Sequence, residues 1–157
     1  MASKDDTPGV IAPPPLLFLG ALVIGAALDY GLARVPIGLP GGFRLGAGAA
    51  LTAASLGLLA GAFERFRRAG TPVEPWRPST ALVTDGVYRF TRNPIYLAMA
   101  LAYLGLALAV DSIALLVLLP PLIALVQVGV IAREERYLAG KFGDEYRRYM
   151  ASVRRWL

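Results

Sequence analysis

The residues best suited to chemistry in this chain are in the segment 82–96, Leu-Val-Thr-Asp-Gly-Val-Tyr-Arg-Phe-Thr-Arg-Asn-Pro-Ile-Tyr. Asn93 followed by Pro94 is typical of a helix start, with the amide side chain as cap and the proline at the first helical position. The backbone N–H groups of a helix N-terminus attract anions, and Arg89 and Arg92 lie just before it. The segment therefore predicts an anion-binding site, although such arginines can also serve only to set membrane topology.

A pair of carboxylates, Glu134 and Glu135, follows the last strongly apolar segment. On a continuing helix, Glu134 lies on the same side as Ile131 and Leu138. A carboxylate within an apolar row is either paired with a cation or functional. The alternative is that both glutamates only neutralise neighbouring arginines.

Composition limits the chemistry that these residues can perform. The chain of 157 residues has no cysteine and no histidine, which excludes thiolate catalysis, zinc–thiolate sites and a histidine base. Chemistry must therefore rest on carboxylates, tyrosines, arginines, backbone groups and a borrowed cofactor, and we predict no metal site. With 56% hydrophobic and 17% charged residues, the net charge of +5 indicates a membrane protein and not a nucleic-acid-binding one.

Four apolar segments predict an all-α integral membrane protein with four transmembrane helices in a single domain, residues 1–157. The predicted spans are about 16–33, 43–63, 94–110 and 113–131. Outside them we predict a disordered tail (1–14), a cytoplasmic connection (65–93) and an amphipathic helical tail (132–157). Asp111 or Ser112 should cap the fourth span, and Gly143-Asp144 should divide the C-terminal tail into two helical pieces.

The distribution of basic residues predicts the orientation. The connection between the second and third spans has six arginines and the C-terminal tail has seven basic residues, whereas the turn between the third and fourth spans has none. The positive-inside rule then places both termini and the connection in the cytoplasm, so that 82–96 and 132–157 share one membrane face. The Ala-, Leu-, Gly- and Arg-rich composition favours a bacterial inner (plasma) membrane.

These stretches together resemble the isoprenylcysteine carboxyl methyltransferase and phospholipid methyltransferase group of integral membrane enzymes, from about Pro78 to Arg155. The family motif is Gly-x-Tyr, Arg-His-Pro-x-Tyr, Glu-Glu and Phe-Gly-x-x-Tyr-x-x-Tyr. The matching positions here are Gly86, Tyr88, Arg92, Asn93, Pro94, Tyr96, Glu134, Glu135, Phe142, Gly143, Tyr146 and Tyr149. The chain departs from the motif at Asn93, because asparagine forms hydrogen bonds but cannot take up a proton near neutral pH as histidine does.

The resemblance implies S-adenosylmethionine as the cofactor. Arg92 and the helix start at Pro94 suit its carboxylate, either glutamate suits its ammonium or ribose diol, and tyrosines suit its adenine or sulfonium. The predicted cofactor-binding residues are Tyr88, Arg89, Arg92, Asn93, Pro94, Tyr96, Glu134, Glu135 and Tyr146. We assign no catalytic residue, since methyl transfer to a nucleophilic group needs in-line positioning and water exclusion more than acid–base groups.

The expected function is therefore S-adenosylmethionine-dependent methyl transfer to a lipid or small hydrophobic acceptor. A phospholipid amine, a prenylcysteine carboxylate and a small thiol or other hydrophobic metabolite all remain open as acceptors. Two other functions also remain open. One is an NADPH-dependent membrane reductase of the sterol-reductase type, whose members end in a similar motif but are longer. The other is a non-catalytic adaptor whose basic tail binds anionic lipid.

Overall fold

A computed structural model of the chain describes residues 6–32 and 34–157, and these form helices and connections with no strand. This confirms the all-α prediction. The α-helices are α1 (Pro14–Gly31), α2 (Gly41–Ala69), α3 (Pro94–Ala109), α4 (Ile113–Val126), α5 (Ala132–Phe142) and α6 (Asp144–Ser152). A 3-10 helix (Gly86–Arg89) precedes α3, and a π-helical turn (Gln127–Ile131) joins α4 to α5 without a break.

Among the described residues, three helices are long and apolar enough to cross a membrane: α1, α2 and the continuous helix Ile113–Phe142. The remaining predicted span corresponds to α3, which is apolar but has only 16 residues. Length and composition thus support three spans, one fewer than the four predicted.

The helix starts and ends follow local sequence signals. Proline lies in the first turn of α1 and of α3, where its missing N–H costs no hydrogen bond. The Oγ atom of Ser112 accepts a hydrogen bond from Leu115 N at 3.1 Å, so this serine is the predicted cap of α4. Gly143 has φ of +57° between α5 and α6, as expected for the predicted break, because glycine adopts this conformation without steric cost.

Two predicted boundaries differ from the structure. The helix α2 continues to Ala69 and ends at Gly70 in the left-handed conformation, so the first part of the predicted connection is helical. Residues 1–5 and Ala33 lie outside the described residues. Residues 6–13 are not a disordered tail: Ile11 N donates to Gly129 O at 3.2 Å, and Arg133 donates to Gly9 O at 2.8 Å. Sequence did not predict this because both partners lie more than a hundred residues away.

The helices pack in two close pairs, α2 against α3 and α1 against α4. A Cβ atom on Gly48 would lie 2.7 Å from Gly105 O, and one on Gly105 would lie 2.9 Å from Gly48 O. Glycine at both positions therefore permits the backbones of α2 and α3 to meet. This pair carries the start of α3 to one end of the bundle, where α5 and α6 also lie.

Candidate functional site

A cavity of about 100 Å³ opens where the start of α3 meets α5, α6 and the connection after α2. Seven of the nine predicted site residues line it: Tyr88, Arg92, Asn93, Tyr96, Glu134, Glu135 and Tyr146. The other two do not. Arg89 has an exposed side chain, and Pro94 is buried in the first turn of α3. The structure thus brings two separate sequence segments to one place.

Packing between α6 and the 3-10 helix closes one side of the cavity. The Tyr149 hydroxyl donates a hydrogen bond to Tyr88 O at 2.7 Å, and the ring centroids of Tyr146 and Tyr149 lie 6.0 Å apart. Phe66 of α2 contacts Tyr88 edge-on with ring centroids 5.7 Å apart. Burial raises the pKa of the Tyr88, Tyr146 and Tyr149 hydroxyls, so these groups remain protonated at neutral pH.

Glu135 is a structural carboxylate held by two guanidinium groups. Its Oε1 lies 2.8 Å from Arg92 Nη2, and both side chains are only 10% exposed. Arg155 approaches the same carboxylate from the C-terminal tail, with Nη2–Oε2 at 2.5 Å and Nε–Oε1 at 3.1 Å. Because both oxygens are engaged, Glu135 has little remaining capacity for a ligand.

Glu134 has a different environment although it is the adjacent residue. Its Oε1 accepts a hydrogen bond from the Tyr96 hydroxyl at 2.8 Å. No lysine or arginine within residues 6–32 and 34–157 forms an ion pair with it. Since successive helical residues are about 100° apart, the two glutamates meet different neighbours. Glu134 therefore brings to the cavity wall a carboxyl group without a cation among the described residues.

One donor of the Arg92 guanidinium is unsatisfied within the described residues. Its Nη1 donates to Met150 O at 2.9 Å and its Nη2 pairs with Glu135, but its buried Nε has no hydrogen-bond partner within the described residues. A buried N–H without a partner is costly, and such groups are uncommon in native proteins. Arg92 itself lines the cavity, so this unsatisfied donor belongs to a side chain of the cavity wall.

The predicted role of Asn93 as a helix cap is wrong. Its side chain forms no capping hydrogen bond to α3; instead Nδ2 donates to Arg155 O at 2.8 Å. The Asn93 backbone N–H donates to Thr91 Oγ1 at 3.1 Å. The C-terminal tail returns to this junction and offers a carbonyl to the amide, and no sequence-local rule anticipates that return.

A second, apolar cavity of about 300 Å³ adjoins the first. The two cavities share five lining residues: Val73, Glu74, Pro75, Ile95 and Tyr96. The rest of the second cavity is lined by Pro14, Pro15, Phe63, Trp76 and Met99. Together the two volumes reach the range of about 300–1,000 Å³ typical of small-molecule sites.

Several cavity residues were not among the predicted site residues. Tyr149 belongs to the Tyr-x-x-Tyr repeat of α6, so its helical spacing from Tyr146 was a usable signal. Glu74 lies in a proline-rich connection, where its sequence neighbours do not indicate a site. Pro8 reaches the cavity because residues 6–13 cross α5, where Asp6 pairs with Lys141 at 2.7 Å and accepts from Tyr137 at 2.9 Å.

A model of the phospholipid methyltransferase family matches residues 43–145, which is well over half of the chain. The chain belongs to the phospholipid methyltransferase family. This confirms the resemblance predicted from the 82–96 segment and the paired glutamates. With its apolar helices, membership in this family makes the chain an integral membrane protein. The match ends before Tyr146, so the C-terminal tail that holds Glu135 and Asn93 lies beyond it.

Two bacterial proteins share parts of this phospholipid methyltransferase family sequence. An uncharacterized protein of Haemophilus influenzae is 78% identical over 27 residues, 17% of this chain and 43% of that protein. The cobalt-zinc-cadmium resistance protein CzcN of Cupriavidus metallidurans is 38% identical over 74 residues, 46% of this chain and 34% of that protein. The chain thus spans less than half the length of these curated relatives. No solved structure matches.

Proposed function

We propose that this protein is a membrane methyltransferase that binds S-adenosylmethionine in the first cavity and methylates a lipophilic acceptor. The observation that carries the proposal is a pair of unused groups on two residues that line that cavity. The Arg92 Nε–H has no partner, and the Glu134 carboxylate has no cation, among residues 6–32 and 34–157. A donor without an acceptor and a carboxyl group without a cation, on residues that line the same cavity, suit a zwitterionic ligand.

The residues of the cavity fit the cofactor that the family implies. Arg92 would hold its carboxylate, and Glu134 would hold its ammonium or ribose diol. Buried Tyr88, Tyr96 and Tyr146 would supply aromatic faces for its adenine or sulfonium. When bound, S-adenosylmethionine supplies an electrophilic methyl group. The protein contributes by orienting the reactants and excluding water, and neither role requires histidine or cysteine.

The acceptor would bind in the apolar cavity, with Tyr96 and Ile95 in the shared wall. Its prolines and its Phe63, Trp76 and Met99 side chains suit a hydrocarbon group, and Glu74 adds one carboxyl group to the wall shared with the first cavity. The chemistry of this wall favours a lipid or small hydrophobic acceptor as a class. Mass spectrometry of membrane extracts distinguishes the three candidate acceptors, because the methylated acceptor gains one methylene unit. The candidates are the phospholipid amine, the prenylcysteine carboxylate and the small thiol.

We further propose that α3 crosses the membrane as a fourth span, with both termini and the cavity on the cytoplasmic side of a bacterial inner membrane. Support comes from the clustering of arginines near the cavity and from the two bacterial relatives. Reporter fusions after Arg68 and after Arg155 should report cytoplasm, and a fusion at Asp111 should report the opposite side. A fusion after Arg68 that reports the outside would contradict this orientation.

The cofactor is tested by thermal unfolding of the purified protein in detergent with S-adenosylmethionine or NADPH. A bound ligand at about 100–1,000 times its dissociation constant stabilises a protein by about 3–4 kcal/mol. We expect stabilisation by S-adenosylmethionine, and loss of most of it in Glu134→Gln. The matched control is Glu145→Gln, which removes an exposed carboxylate of α6.

The two other candidate functions predict different results in this experiment. Stabilisation by NADPH alone would indicate a reductase. No stabilisation by either cofactor, together with salt-sensitive binding to anionic vesicles, would indicate an adaptor. The metal resistance in the name of the Cupriavidus relative is not part of our proposal, because this chain has no cysteine or histidine.

A further inference from the structure

The C-terminal tail connects three parts of the cavity wall. After Ser152 the chain leaves α6 in an extended conformation and runs back along the start of α3. Arg92 N donates to Arg154 O at 3.0 Å, and Arg155 O accepts from Thr91 Oγ1 at 3.2 Å and from Asn93 Nδ2 at 2.8 Å. Backbone carbonyls of the tail therefore fix the junction that carries Arg92.

Two tail side chains reach the helix that carries the glutamates. Arg155 engages both oxygens of Glu135 in a bidentate pair. Trp156 Nε1 donates to Gln127 Oε1 at 2.9 Å, in the π-helical turn just before α5. Arg155 does not line the cavity, so its contacts to the site pass through Glu135 and Asn93.

A second guanidinium on Glu135 changes the charge balance around the cavity. Arg92 by itself would neutralise this carboxylate, since one cation balances one anion. With Arg155 added, the cluster of Arg92, Glu135 and Arg155 carries one net positive charge, close to the unfilled Arg92 Nε–H. The Glu134 carboxyl group, which accepts a hydrogen bond from Tyr96, lines the same cavity. A zwitterionic ligand would bring its anionic group to the positive cluster and its cationic group to Glu134.

We propose that Arg155 is a positioning residue of the cofactor site, which orients Arg92 through Glu135 and keeps the Arg92 side of the cavity positive. This inference rests on the proposed function for its ligand. The Arg155 guanidinium binds the Glu135 carboxylate, which in turn pairs with Arg92. The backbone carbonyl of Arg155 accepts the hydrogen bond of the Asn93 amide. Loss of the Arg155 guanidinium would leave Arg92 as the sole cation on Glu135 and would neutralise the cluster.

Calorimetric titration of the full-length protein in detergent with S-adenosylmethionine tests the proposal. Arg155→Ala should weaken binding about tenfold, within the coupling range of contacting residues, and Arg155→Lys, which keeps the charge but loses the planar fork, should fall between it and the wild type. The matched control is Arg154→Ala: its side chain is exposed, its backbone carbonyl still accepts from Arg92, and the net charge changes equally.

Hydrogen–deuterium exchange without cofactor gives a readout that does not depend on the proposed function. Peptides covering 91–96 and 132–138 should exchange faster in Arg155→Ala than in Arg154→Ala or the wild type. Equal cofactor affinities for the two alanine variants, or a lower unfolding temperature of Arg155→Ala with unchanged affinity, would overturn the proposal. If the wild type does not bind S-adenosylmethionine, the proposed function fails, and hydrogen–deuterium exchange alone decides whether Arg155 is a positioning residue. Faster exchange only in Arg155→Ala then supports positioning, and equal exchange refutes it.

Discussion

The two ends of the helix bundle use charged residues in opposite ways. At the end formed by the α3–α4 turn, which we call the turn end, Asp111 accepts hydrogen bonds from Ile37 N at 3.0 Å and Gly38 N at 3.4 Å. Arg44 Nε lies 3.6 Å from the same carboxylate, and its Nη1 donates to the carbonyls that end α3. Arg34 also donates to a carbonyl of this turn, that of Val110. At this end, these three charged side chains form hydrogen bonds to backbone groups.

At the opposite end, which we call the cavity end, hydrogen-bonding capacity is left over. Within the described residues, Arg92 Nε has no acceptor and Glu134 has no cation, and both residues line one cavity. Buried polar groups are normally satisfied, so two unsatisfied groups on residues that line one cavity support the proposed ligand site. The contrast teaches that the partners of a charged residue, more than its presence, separate a structural role from a functional one.

The largest expected effect is the loss of stability on substitution of Glu135. It would sharpen the comparison by showing that the cavity end also contains a carboxylate with a structural role. Glu135→Ala leaves two guanidiniums without their carboxylate, and breaking a buried ion pair in this way costs about 3–5 kcal/mol of the free energy of unfolding. Thermal or denaturant unfolding in detergent measures this cost. Glu145→Ala on the exposed side of α6 serves as the control and should change stability little. A comparably small loss for Glu135→Ala would mean that the Arg92–Glu135–Arg155 cluster is not structural.

A somewhat smaller loss of stability is expected at the turn end. Asp111→Ala removes the acceptor of two backbone N–H groups and of Arg44, and we expect a loss of about 2–3 kcal/mol, typical of hydrogen bonds to a charged group. Asp111 has φ of +58°, which alanine tolerates poorly, whereas Asp111→Asn keeps both the conformation and an acceptor and should cost less. S-adenosylmethionine affinity of the folded variants should not change. Weaker cofactor binding in Asp111→Asn would break the proposed division between the two ends.

Glu134→Gln should weaken cofactor binding without lowering stability, which is the reverse of the effect expected at Asp111. The substitution preserves size and the Tyr96 hydrogen bond but removes the ionisable carboxyl group, so cofactor binding should weaken by about 1.5–3 kcal/mol. Thermal stability without cofactor should stay the same or rise, because no cation depends on this carboxylate within the described residues. Calorimetric titration and thermal unfolding of the same sample measure both quantities. A destabilised variant with wild-type affinity would make Glu134 structural, like Glu135.

The smallest effect is expected for Tyr96→Phe. Removing the hydroxyl deletes one hydrogen bond to Glu134 while the ring still lines both cavities, so we expect cofactor binding to weaken by about 1 kcal/mol. Isothermal titration measures the change. Tyr137→Phe is a suitable control, because that hydroxyl bonds to Asp6 and the Ser79 N–H and not to Glu134. If the control weakens binding as much as Tyr96→Phe, the Tyr96–Glu134 bond is not specific to the site.

The sequence determined by itself those features that depend on near neighbours. Apolar runs specified α1 to α4, the proline after Asn93 specified the start of α3, Ser112 specified the cap of α4, and Gly143 specified the break after α5. Each depends on backbone preference or on a hydrogen bond that spans a few residues. The same local signals, with the motif of 82–96 and the paired glutamates, also indicated the family.

Only the tertiary structure decided how the charged and polar side chains are paired. It separated Glu134 from Glu135, gave the Asn93 amide to Arg155 and not to a helix cap, and packed residues 6–13 against α5. The Asn93 and Arg155 partners are 62 residues apart, and Tyr96 and Glu134 are 38 apart. Partners at such separations are set by where the helices meet, which depends on contacts such as Gly48 with Gly105 and not on the residues beside each charge.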